Sequence, residues 1–261
     1  MEQKCKIFNF PLYYISFEKN EKLELELKKY GFTNVNHFKA IDGRKYDPYK
    51  LKENGILTSR SYNDLINGRS QRCGIPSLAA IGCTLSHASL WRKCIEEKIP
   101  FITIVEEDVI LKEKIDEKLC KIITESINKK NGIFVGTNLD RKQKYTSLNG
   151  KKKYTSLNGT QFYIASNEAC EELVKNVFPI DVQTDWYMAD LNLFKKIDIT
   201  GRPISTQKNH KSTIQNICIQ CDLPKSPLWY FLLLAFFIVL LIGVIVYYKK
   251  YKQCKINSKI M

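Results

Sequence analysis

Short apolar runs of strand-forming residues alternate with helical patterns through the first two hundred residues of this chain. The strand-like runs lie at 12–17, 35–41, 101–105, 133–136 and 162–165, and the helical patterns at 20–30, 115–127 and 168–177. This alternation predicts an α/β fold built on a mostly parallel sheet. A domain of about 200 residues buries roughly 70% of its unfolded surface, which is enough for a self-sufficient core.

A second kind of apolar segment lies near the C-terminus. Residues 228–248 carry no charge, and as a helix they would be about 31 Å long, which matches a hydrocarbon core of about 30 Å. Aromatic residues border both ends and lysines follow: Trp229, Tyr230, Tyr247, Tyr248, Lys249, Lys250 and Lys252. We therefore predict one C-terminal transmembrane helix, because a buried core helix rarely needs so long an unbroken run.

This segment divides the chain into four predicted parts. They are a folded domain over 1–204, a juxtamembrane linker over 205–227, the transmembrane helix at 228–248 and a basic tail over 249–261.

The signals for membrane topology conflict. The N-terminal stretch 6–15 is interrupted by Asn9 and Pro11 and lacks a small-residue cleavage site, so it is more typical of a first strand than of a signal sequence. The lysines of the tail favour the opposite orientation, with the tail on the cytosolic side. From the sequence we expect a single-pass membrane protein with a C-terminal anchor and a cytosolic folded domain.

The net charge and the absence of nucleic-acid-binding motifs limit the kinds of ligand that this chain is expected to bind. The formal net charge is +14, which suits phosphate-bearing ligands, although a solvated lysine-rich surface would give the same value. No helix-turn-helix, zinc-finger or RNA-binding aromatic motif is present, so we expect no nucleic-acid partner.

The nine cysteines are irregularly spaced, and we expect most to be reduced; Cys218 and Cys221 form a C-x-x-C without a second pair.

A seven-residue sequence occurs twice, at 144–150 and 153–159, and each copy ends in Asn-Gly. Asn-Gly favours hairpin turns. The segment is either a basic flap over an anionic substrate or a duplicated surface loop.

Three carboxylates follow the most apolar of the predicted strands. Glu106, Glu107 and Asp108 come directly after 101–105, at the end of a strand that is apolar on both faces. Ligands bind at the carboxyl ends of strands in open α/β sheets, and oxygen-only clusters select Mg²⁺ or Mn²⁺. The alternative is a solvated acidic turn before a helix.

Residues 78–98 carry apolar residues at helical spacing. His87 shares a face of this helix with Trp91. On this pattern His87 is either a hydrogen-bonded core residue or a functional one.

Three blocks of sequence together carry a family resemblance. They are Phe-Lys-Ala-Ile-Asp-Gly at 38–43, Ile-Gly-Cys-Thr-Leu-Ser-His at 81–87, and Ile-Val-Glu-Glu-Asp-Val-Ile-Leu at 104–111. In this order they resemble glycosyltransferase family 25, which includes lipooligosaccharide biosynthesis transferases and procollagen galactosyltransferases. The likeness continues through 159–166 and 179–187.

The resemblance implies a GT-A-like nucleotide-sugar-binding sheet with flanking helices, a UDP-sugar donor and a divalent cation, Mn²⁺ or Mg²⁺. The Glu-Asp-Asp of the family falls on 106–108, which makes Glu106 and Asp108 the expected metal ligands. Glu107 departs from the usual Asp. Lys19 and Lys22 stand where the family usually has an Arg-rich stretch, and they cannot offer the same bidentate fork to a phosphate.

The same resemblance suggests the residues that contact the substrates. Substrate contacts are expected from Ser16, Asp42, Gly43, Ser86, His87 and Trp186.

A base must deprotonate the acceptor hydroxyl in an inverting displacement. Asp185 is the expected base, with Asp181 as the fallback, and Trp186 or Tyr187 is the expected platform for a sugar ring. The alternative for either acid is a structural cap on a turn.

These observations lead to one functional hypothesis and one alternative. The hypothesis is a membrane-anchored glycosyltransferase that moves galactose or glucose from a UDP-sugar to a hydroxyl of a glycan or protein, with divalent-metal assistance. The alternative is a catalytically degenerate glycosyltransferase-like membrane protein that acts as a sugar- or nucleotide-binding or scaffold module.

Overall fold

The structure is a computed structural model that describes residues 5–69, 73–137, 139–140, 145–146, 152–153, 156–157, 159–208 and 234–244. The chain divides into two compact units, Met1–Cys218 and Ile219–Met261. The α-helices of the first unit are α1 (Glu21–Lys29), α2 (Pro48–Glu53), α3 (Ser59–Asn67), α4 (Leu78–Glu96), α5 (Glu117–Ile127), α6 (Asn167–Asn176) and α7 (Thr184–Leu193). Short 3-10 helices lie at Lys6–Asn9 and Gly43–Lys45.

The strands of this unit are as follows: β1 (Leu12–Ser16), β2 (Val35–Lys39), β3 (Phe101–Glu106), β4 (Val109–Leu111), β5 (Gly132–Val135), β6 (Leu139–Asp140), β7 (Tyr145–Thr146), β8 (Lys152–Lys153), β9 (Ser156–Leu157), β10 (Phe162–Ser166), β11 (Asp198–Gly201) and β12 (Ser205–Gln207).

The first elements form the parallel β1–α1–β2 unit that the sequence predicts. Asn20 caps α1 by accepting the backbone N–H of Leu23 at 3.0 Å, which satisfies one of the free donors of the first turn. Leu23 and Leu27, four residues apart, form the buried face of α1. The chain then returns as β2, parallel to β1.

Six of the described strands form one sheet in the order β11-β5-β10-β3-β1-β2. β1 is parallel to β2 and β3, and β5 to β11, whereas β10 is antiparallel to β3 and β5. The α/β prediction is confirmed, but the sheet is mixed rather than mostly parallel. The described residues between β5 and β10 form short strands and no helix, so the chain returns without the crossover that a parallel neighbour needs.

The sheet is buried on both faces. Ile104 of β3 packs in one hydrophobic cluster with Trp91 of α4, and the next residue, Val105, packs in a second cluster with Phe134 of β5. Alternate strand residues point to opposite faces, so a strand with a layer on each side reads as a continuous apolar run. This explains the unbroken apolar sequence before the acidic residues.

Two glycines bring α4 into backbone contact with the loop after β2. A Cβ atom on Gly43 would lie 1.8 Å from the carbonyl oxygen of Leu78, and one on Gly82 would lie 2.3 Å from that of Ile41. The Ser86 hydroxyl accepts the Ile41 N–H at 2.9 Å and donates to the Gly82 carbonyl at 2.8 Å. The first two sequence blocks of the family resemblance therefore pack directly on each other.

The last strand of the first unit returns to the acidic sequence. β12 pairs antiparallel with β4, from Ser205 opposite Leu111 to Gln207 opposite Val109. The backbone N–H of Lys208 then donates to the carbonyl of Asp108 at 2.8 Å. Residues that the sequence analysis assigned to a linker after 204 thus belong to the compact unit.

The second unit contains a described helix at 234–244, within the predicted span 228–248, and its side chains are exposed. Across the described ranges, no helix is both long and apolar enough to cross a bilayer, so the predicted transmembrane helix is not found there. Most of the duplicated sequence at 144–150 and 153–159 lies outside the described residues. The Asn-Gly of the first copy and Asn158 of the second are among the residues outside.

Most of the described cysteines are reduced, as the sequence analysis expected. Cys73, Cys83, Cys94 and Cys170 are free thiols. Cys5 and Cys120 form a disulfide, which the sequence analysis did not foresee. It ties the N-terminal segment to α5.

Candidate active site

The acidic sequence lies at the ligand-binding edge of the sheet. β3 ends at Glu106, and its parallel neighbour β1 and the next strand β2 end at the same edge, at Ser16 and Lys39. The side chains of Glu106 and Asp108 are partly buried, whereas Glu107 is exposed. This is the position at which open α/β sheets bind ligands.

Three carboxylates lie close enough to Cys83, on α4, for their charges to affect the pKa of its thiol. Burial raises the pKa of this thiol well above its ordinary value, and the negative charges of Glu106, Asp185 and Asp108 raise it further. The fold therefore brings the acidic sequence after β3 and the first turn of α7 to one place, although they are far apart along the chain.

Asp185 has the properties of a general base. Its pKa is raised to about 6, chiefly by burial and also by the charge of Glu106, against the backbone hydrogen bond from Trp186. That bond runs from the Trp186 N–H to Oδ1 of Asp185 at 2.8 Å. A carboxylate that titrates near pH 6 is ionised at neutral pH yet basic enough to take a proton.

Glu106 is held in place by two neighbours. The Thr160 hydroxyl donates to its Oε1 at 2.6 Å, and Nε2 of His87 lies 3.4 Å from the same oxygen. Burial raises the pKa of Glu106, but its interactions with His87 and the Thr160 hydrogen bond outweigh burial and leave this pKa below its ordinary value. Glu106 is therefore an anion at neutral pH.

His87 is fully buried and does not contact solvent. Its Nδ1 lies 2.9 Å from the Tyr163 hydroxyl, which also accepts the indole N–H of Trp91 at 2.8 Å. The oxygen of Tyr163 can either donate its proton to Nδ1 or accept an N–H from it as well, depending on the histidine tautomer. The structure thus supports the core interpretation of His87, and its Nε2 faces Glu106 rather than a substrate.

Three of the expected substrate-binding residues make packing contacts within the fold. Gly43 and Ser86 join α4 to the loop after β2, and this loop is too close to Gly82 for any added side chain. The Ser16 hydroxyl is buried and donates to the Glu18 carbonyl at 2.5 Å, which shapes the turn after β1. These contacts position the three residues within the fold, and their contacts with substrate stay a prediction.

Asp42 lies at the surface. It accepts two hydrogen bonds from the Arg44 guanidinium, at 2.7 and 3.1 Å, and Arg44 lies over the ring of Phe17 at 5.5 Å. The hydrogen bond to Arg44 lowers the pKa of Asp42. Asp42 therefore supports Arg44, which covers one face of an exposed aromatic ring.

The two aspartates proposed as bases have different environments. Asp181 accepts the Thr58 hydroxyl at 2.5 Å and the Arg60 guanidinium, which also binds the Asp181 carbonyl at 3.0 Å. These contacts tie the segment before α7 to α3. Asp181 has a structural role, so Asp185 is the better candidate for the base.

The aromatic residues after Asp185 also differ. The Tyr187 hydroxyl donates to the Leu173 carbonyl at 2.5 Å, and burial raises the pKa of Tyr187. Tyr187 is therefore part of the packing between α6 and α7. Trp186 is only partly buried and remains the possible platform for a sugar.

An open cleft of about 630 Å³ borders the acidic sequence. It is lined by Phe17, Glu18, Lys19, Asn20, Glu21 and Glu107. The turn after β1 and Glu107 are the two places where the sequence departs from the family pattern. Both departures thus face the same cleft.

Two residues near the site were not identified from the sequence. Thr160 binds Glu106, and Lys208 donates its backbone N–H to the Asp108 carbonyl. Both contacts depend on pairings between distant segments, and neither residue stands in a pattern that reveals them. The block at 159–166 carried the only signal, as part of the family resemblance.

Comparison with known proteins identifies the family. The model for "Glycosyltransferase family 25 (LPS biosynthesis protein)" matches residues 10–188, which is more than half of the chain. The chain belongs to glycosyltransferase family 25. The matched range contains the acidic sequence, His87 and Asp185.

Individual relatives of this family 25 chain are distant, and each match covers only part of the relative. Human procollagen galactosyltransferase 2 is 29% identical over 89 residues, which cover 34% of this chain and 13% of the relative. Lipooligosaccharide biosynthesis protein lic2B of Haemophilus influenzae is 46% identical over 39 residues, or 15% of each chain. The probable inactive glycosyltransferase 25 family member 3 of Rattus norvegicus is 26% identical over 91 residues, covering 35% and 15%. In each case the matched residues cover under a fifth of the length of the relative.

Proposed function

We propose that this family 25 chain is a hexosyltransferase that transfers galactose or glucose from a UDP-sugar to a hydroxyl of a glycan or protein. The observation that carries the proposal is the meeting of Glu106, Asp108 and Asp185 at the carboxyl edge of the sheet. Glu106 and Asp108 can hold a cation for the charged leaving group, and Asp185 is a base whose pKa is about 6. The galactosyltransferase and lipooligosaccharide relatives favour a hexose.

The divalent cation expected from the sequence suits the residues present. Glu106 and Asp108 offer carboxylate oxygens, the donors that Mn²⁺ and Mg²⁺ prefer, and Glu106 is anionic because Thr160 and His87 stabilise its charge. A bound Mn²⁺ or Mg²⁺ supplies Lewis-acid neutralisation of the diphosphate. Asp108 would hold it from the turn between β3 and β4.

Asp185 takes the proton of the acceptor hydroxyl in this proposal. Its carboxylate is partly buried and titrates near pH 6, so it is ionised and desolvated at neutral pH. In the same proposal Trp186, the next residue, stacks on an acceptor or donor sugar.

Lysines replace the arginines expected around the diphosphate. Lys19 lines the cleft beside Glu107, and Lys208 follows β12 next to Asp108. Each can offer a point charge to a phosphate, without the bidentate geometry of arginine. We therefore expect weaker donor binding than an arginine pair would give.

We also propose a location for the enzyme. Residues 228–248 are the membrane anchor, on the strength of their sequence alone. The disulfide between Cys5 and Cys120 favours an oxidising compartment for the folded domain, with the lysine-rich tail on the cytosolic side. This is the reverse of the cytosolic domain expected from the sequence, and protease protection in sealed membranes distinguishes the two orientations.

The test of function is donor turnover by the full chain in detergent. UDP release is measured over a panel of UDP-sugars, with and without Mn²⁺ and with simple glycosides as acceptors. Asp108→Asn is compared with Asp116→Asn, a cap of α5 that lies outside the site. We expect metal-dependent release that Asp108→Asn lowers by at least about 100-fold, the effect of about 2.7 kcal/mol on the barrier.

The alternative, a catalytically degenerate member, has its own support. A probable inactive relative matches the chain, and both departures from the family pattern line one cleft. Donor binding without cleavage, unchanged by Asp108→Asn, would establish this alternative and contradict the transferase proposal.

A further inference from the structure

Behind the acidic sequence lies a cluster with a different chemistry from the expected Mn²⁺ or Mg²⁺ site. Cys83 and His87, one turn apart on α4, face Glu106 at the end of β3. Their ligand atoms, a sulfur, an imidazole nitrogen and a carboxylate oxygen, all lie within 4.8 Å of one another. We propose that Cys83, His87 and Glu106 bind one zinc ion.

The geometry of the cluster fits tetrahedral zinc. Nε2 of His87 and Oε1 of Glu106 are 3.4 Å apart, and the contact does not qualify as a hydrogen bond. Zinc bonds of about 2.0–2.2 Å at the tetrahedral angle separate a nitrogen and an oxygen ligand by roughly 3.3–3.5 Å. The spacing of this pair is therefore compatible with two ligands on a shared ion.

The buried nitrogen of His87 gives an independent reason. His87 is fully buried, and among the described residues its Nε2 has the 3.4 Å ionic contact with Glu106 but no hydrogen bond of good geometry. An unsatisfied buried polar atom of this kind costs about 1–3 kcal/mol. A metal ion would satisfy it, and Nδ1 could then donate its N–H to the Tyr163 oxygen at 2.9 Å.

The residues around the cluster support it in the way that metal sites require. Tyr163 fixes the orientation of the His87 ring, and the Thr160 hydroxyl fixes the Glu106 carboxylate. Zinc binding displaces the thiol proton of Cys83 to water, so one thiolate and one carboxylate balance the charge of the ion. Cys83 and Glu106 are partly exposed, which leaves a fourth position open to water.

The choice of metal follows from the ligands. Thiolate and imidazole favour zinc, whereas Mn²⁺ and Mg²⁺ prefer oxygen ligands. The site shares only Glu106 with the proposed donor-metal site, and it makes no use of Asp108 or Asp185. The inference stands whether or not the chain transfers a sugar, because its test measures metal binding without a donor.

The test uses the full chain with Cys218→Ser and Cys221→Ser, since that C-x-x-C pair could bind zinc itself. The chelator-treated protein is titrated with Zn²⁺ in competition with a chromophoric chelator, and with Co²⁺ as a spectroscopic substitute. We expect one Zn²⁺ per chain. The cobalt form should show tetrahedral visible bands and a thiolate-to-cobalt charge-transfer band.

Cys83→Ser should abolish the charge-transfer band and weaken zinc binding by at least about 100-fold, beyond the 10–100-fold change typical of a supporting residue. Cys170→Ala, which removes another free thiol, should bind zinc like the parent. Zinc should also raise the thermal unfolding midpoint of the parent but not that of Cys83→Ser.

If Cys83→Ser does not fold, a second measurement takes its place. The native Cys83 is alkylated with iodoacetamide with and without Zn²⁺, and mass spectrometry shows whether Zn²⁺ protects it. The inference is overturned by a cobalt complex without a thiolate band, by unchanged zinc affinity in Cys83→Ser, or by equal alkylation of Cys83 with and without zinc.

Discussion

At the scale of single residues, the site depends on how each carboxylate is solvated and paired. Asp185 is desolvated beside another anion, which raises its pKa to about 6. Glu106 is also buried, but Thr160 and His87 stabilise its charge and lower its pKa. The pKa values of these two acids are thus shifted in opposite directions. Asp185 is suited to accept a proton, and Glu106 is suited to remain an anion.

Replacing Asp185 by Asn should trade activity for stability. Because the pKa of Asp185 is raised in the folded state, its ionisation destabilises the protein above pH 6, and this penalty disappears below its unfolded pKa near 4. At pH 8 the free energy of unfolding of Asp185→Asn should therefore exceed that of the wild type by about 1–3 kcal/mol. At pH 4 the two proteins should be equally stable. Transfer should be lost. Wild-type transfer should fall as the pH drops through about 6.

The measurements are thermal unfolding at both pH values and the pH dependence of kcat/KM. A lower stability of Asp185→Asn at pH 8 would show that the carboxylate is stabilised, not strained, by its surroundings.

Thr160 and Thr103 offer a matched pair of buried hydroxyls. The Thr160 hydroxyl donates to anionic Glu106, whereas that of Thr103 has no partner among the described residues. Thr160→Val should lower the free energy of unfolding by about 1.5–3 kcal/mol at pH 7, as expected for a lost bond to a charged group. Thr103→Val should be neutral or stabilising.

The lowered pKa of Glu106 sets the pH window of this effect. Its stabilisation is present above the unfolded pKa of a glutamate and is lost as the pH falls through the lower folded pKa. The difference between Thr160→Val and wild type, measured by chemical denaturation, should therefore shrink toward acidic pH. A difference that is constant with pH would exclude this role for Thr160.

At the scale of elements, the site is set by how α4 docks on the loop after β2. Gly82 and Gly43 permit backbone contact, and Ser86 satisfies the N–H of Ile41. The same helix then presents Cys83 and His87 to the end of β3. A small displacement of α4 would move both side chains away from Glu106.

Two serines on α4 test this docking. Ser86 and Ser89 each donate to the carbonyl four residues earlier, but only Ser86 also accepts an N–H from another segment. Ser86→Ala leaves the Ile41 N–H unsatisfied and should lower the free energy of unfolding by about 1–3 kcal/mol. Ser89→Ala should change it by less than about 0.5 kcal/mol. Equal effects in urea denaturation would refute the special role of Ser86.

At the scale of the whole molecule, one covalent link joins distant segments. Cys5 and Cys120 are separated by 115 residues, so their disulfide removes many conformations from the unfolded chain. In the chain-entropy treatment a loop of this size stabilises the fold by about 4–5 kcal/mol. The thermal unfolding midpoint should therefore fall on addition of a reducing agent.

The double variant Cys5→Ser/Cys120→Ser should unfold at that lower temperature with or without the reductant. If the wild type is insensitive to the reductant although the bond is shown by mass spectrometry to be broken, the disulfide does not stabilise the fold.

Sequence and structure contributed different parts of this picture. The alternation of apolar runs and helices determined the α/β class, and the local order of motifs determined the family, because both depend on residues close together along the chain. The placement of Glu106 and Asp108 at a strand end was predictable for the same reason. The packing contacts of Ser16, Gly43 and Ser86 were not, since a motif does not show which polar groups bond within the fold.

Only the tertiary structure decided how distant segments combine. The antiparallel course of β10, the return of β12 to the acidic sequence, the Cys5–Cys120 disulfide and the meeting of Asp185 with Glu106 all join residues far apart in sequence. No local pattern records such pairings, because each results from the packing of the whole unit. The pKa values of the site follow from the same packing, since burial and neighbouring charge exist only in the folded chain.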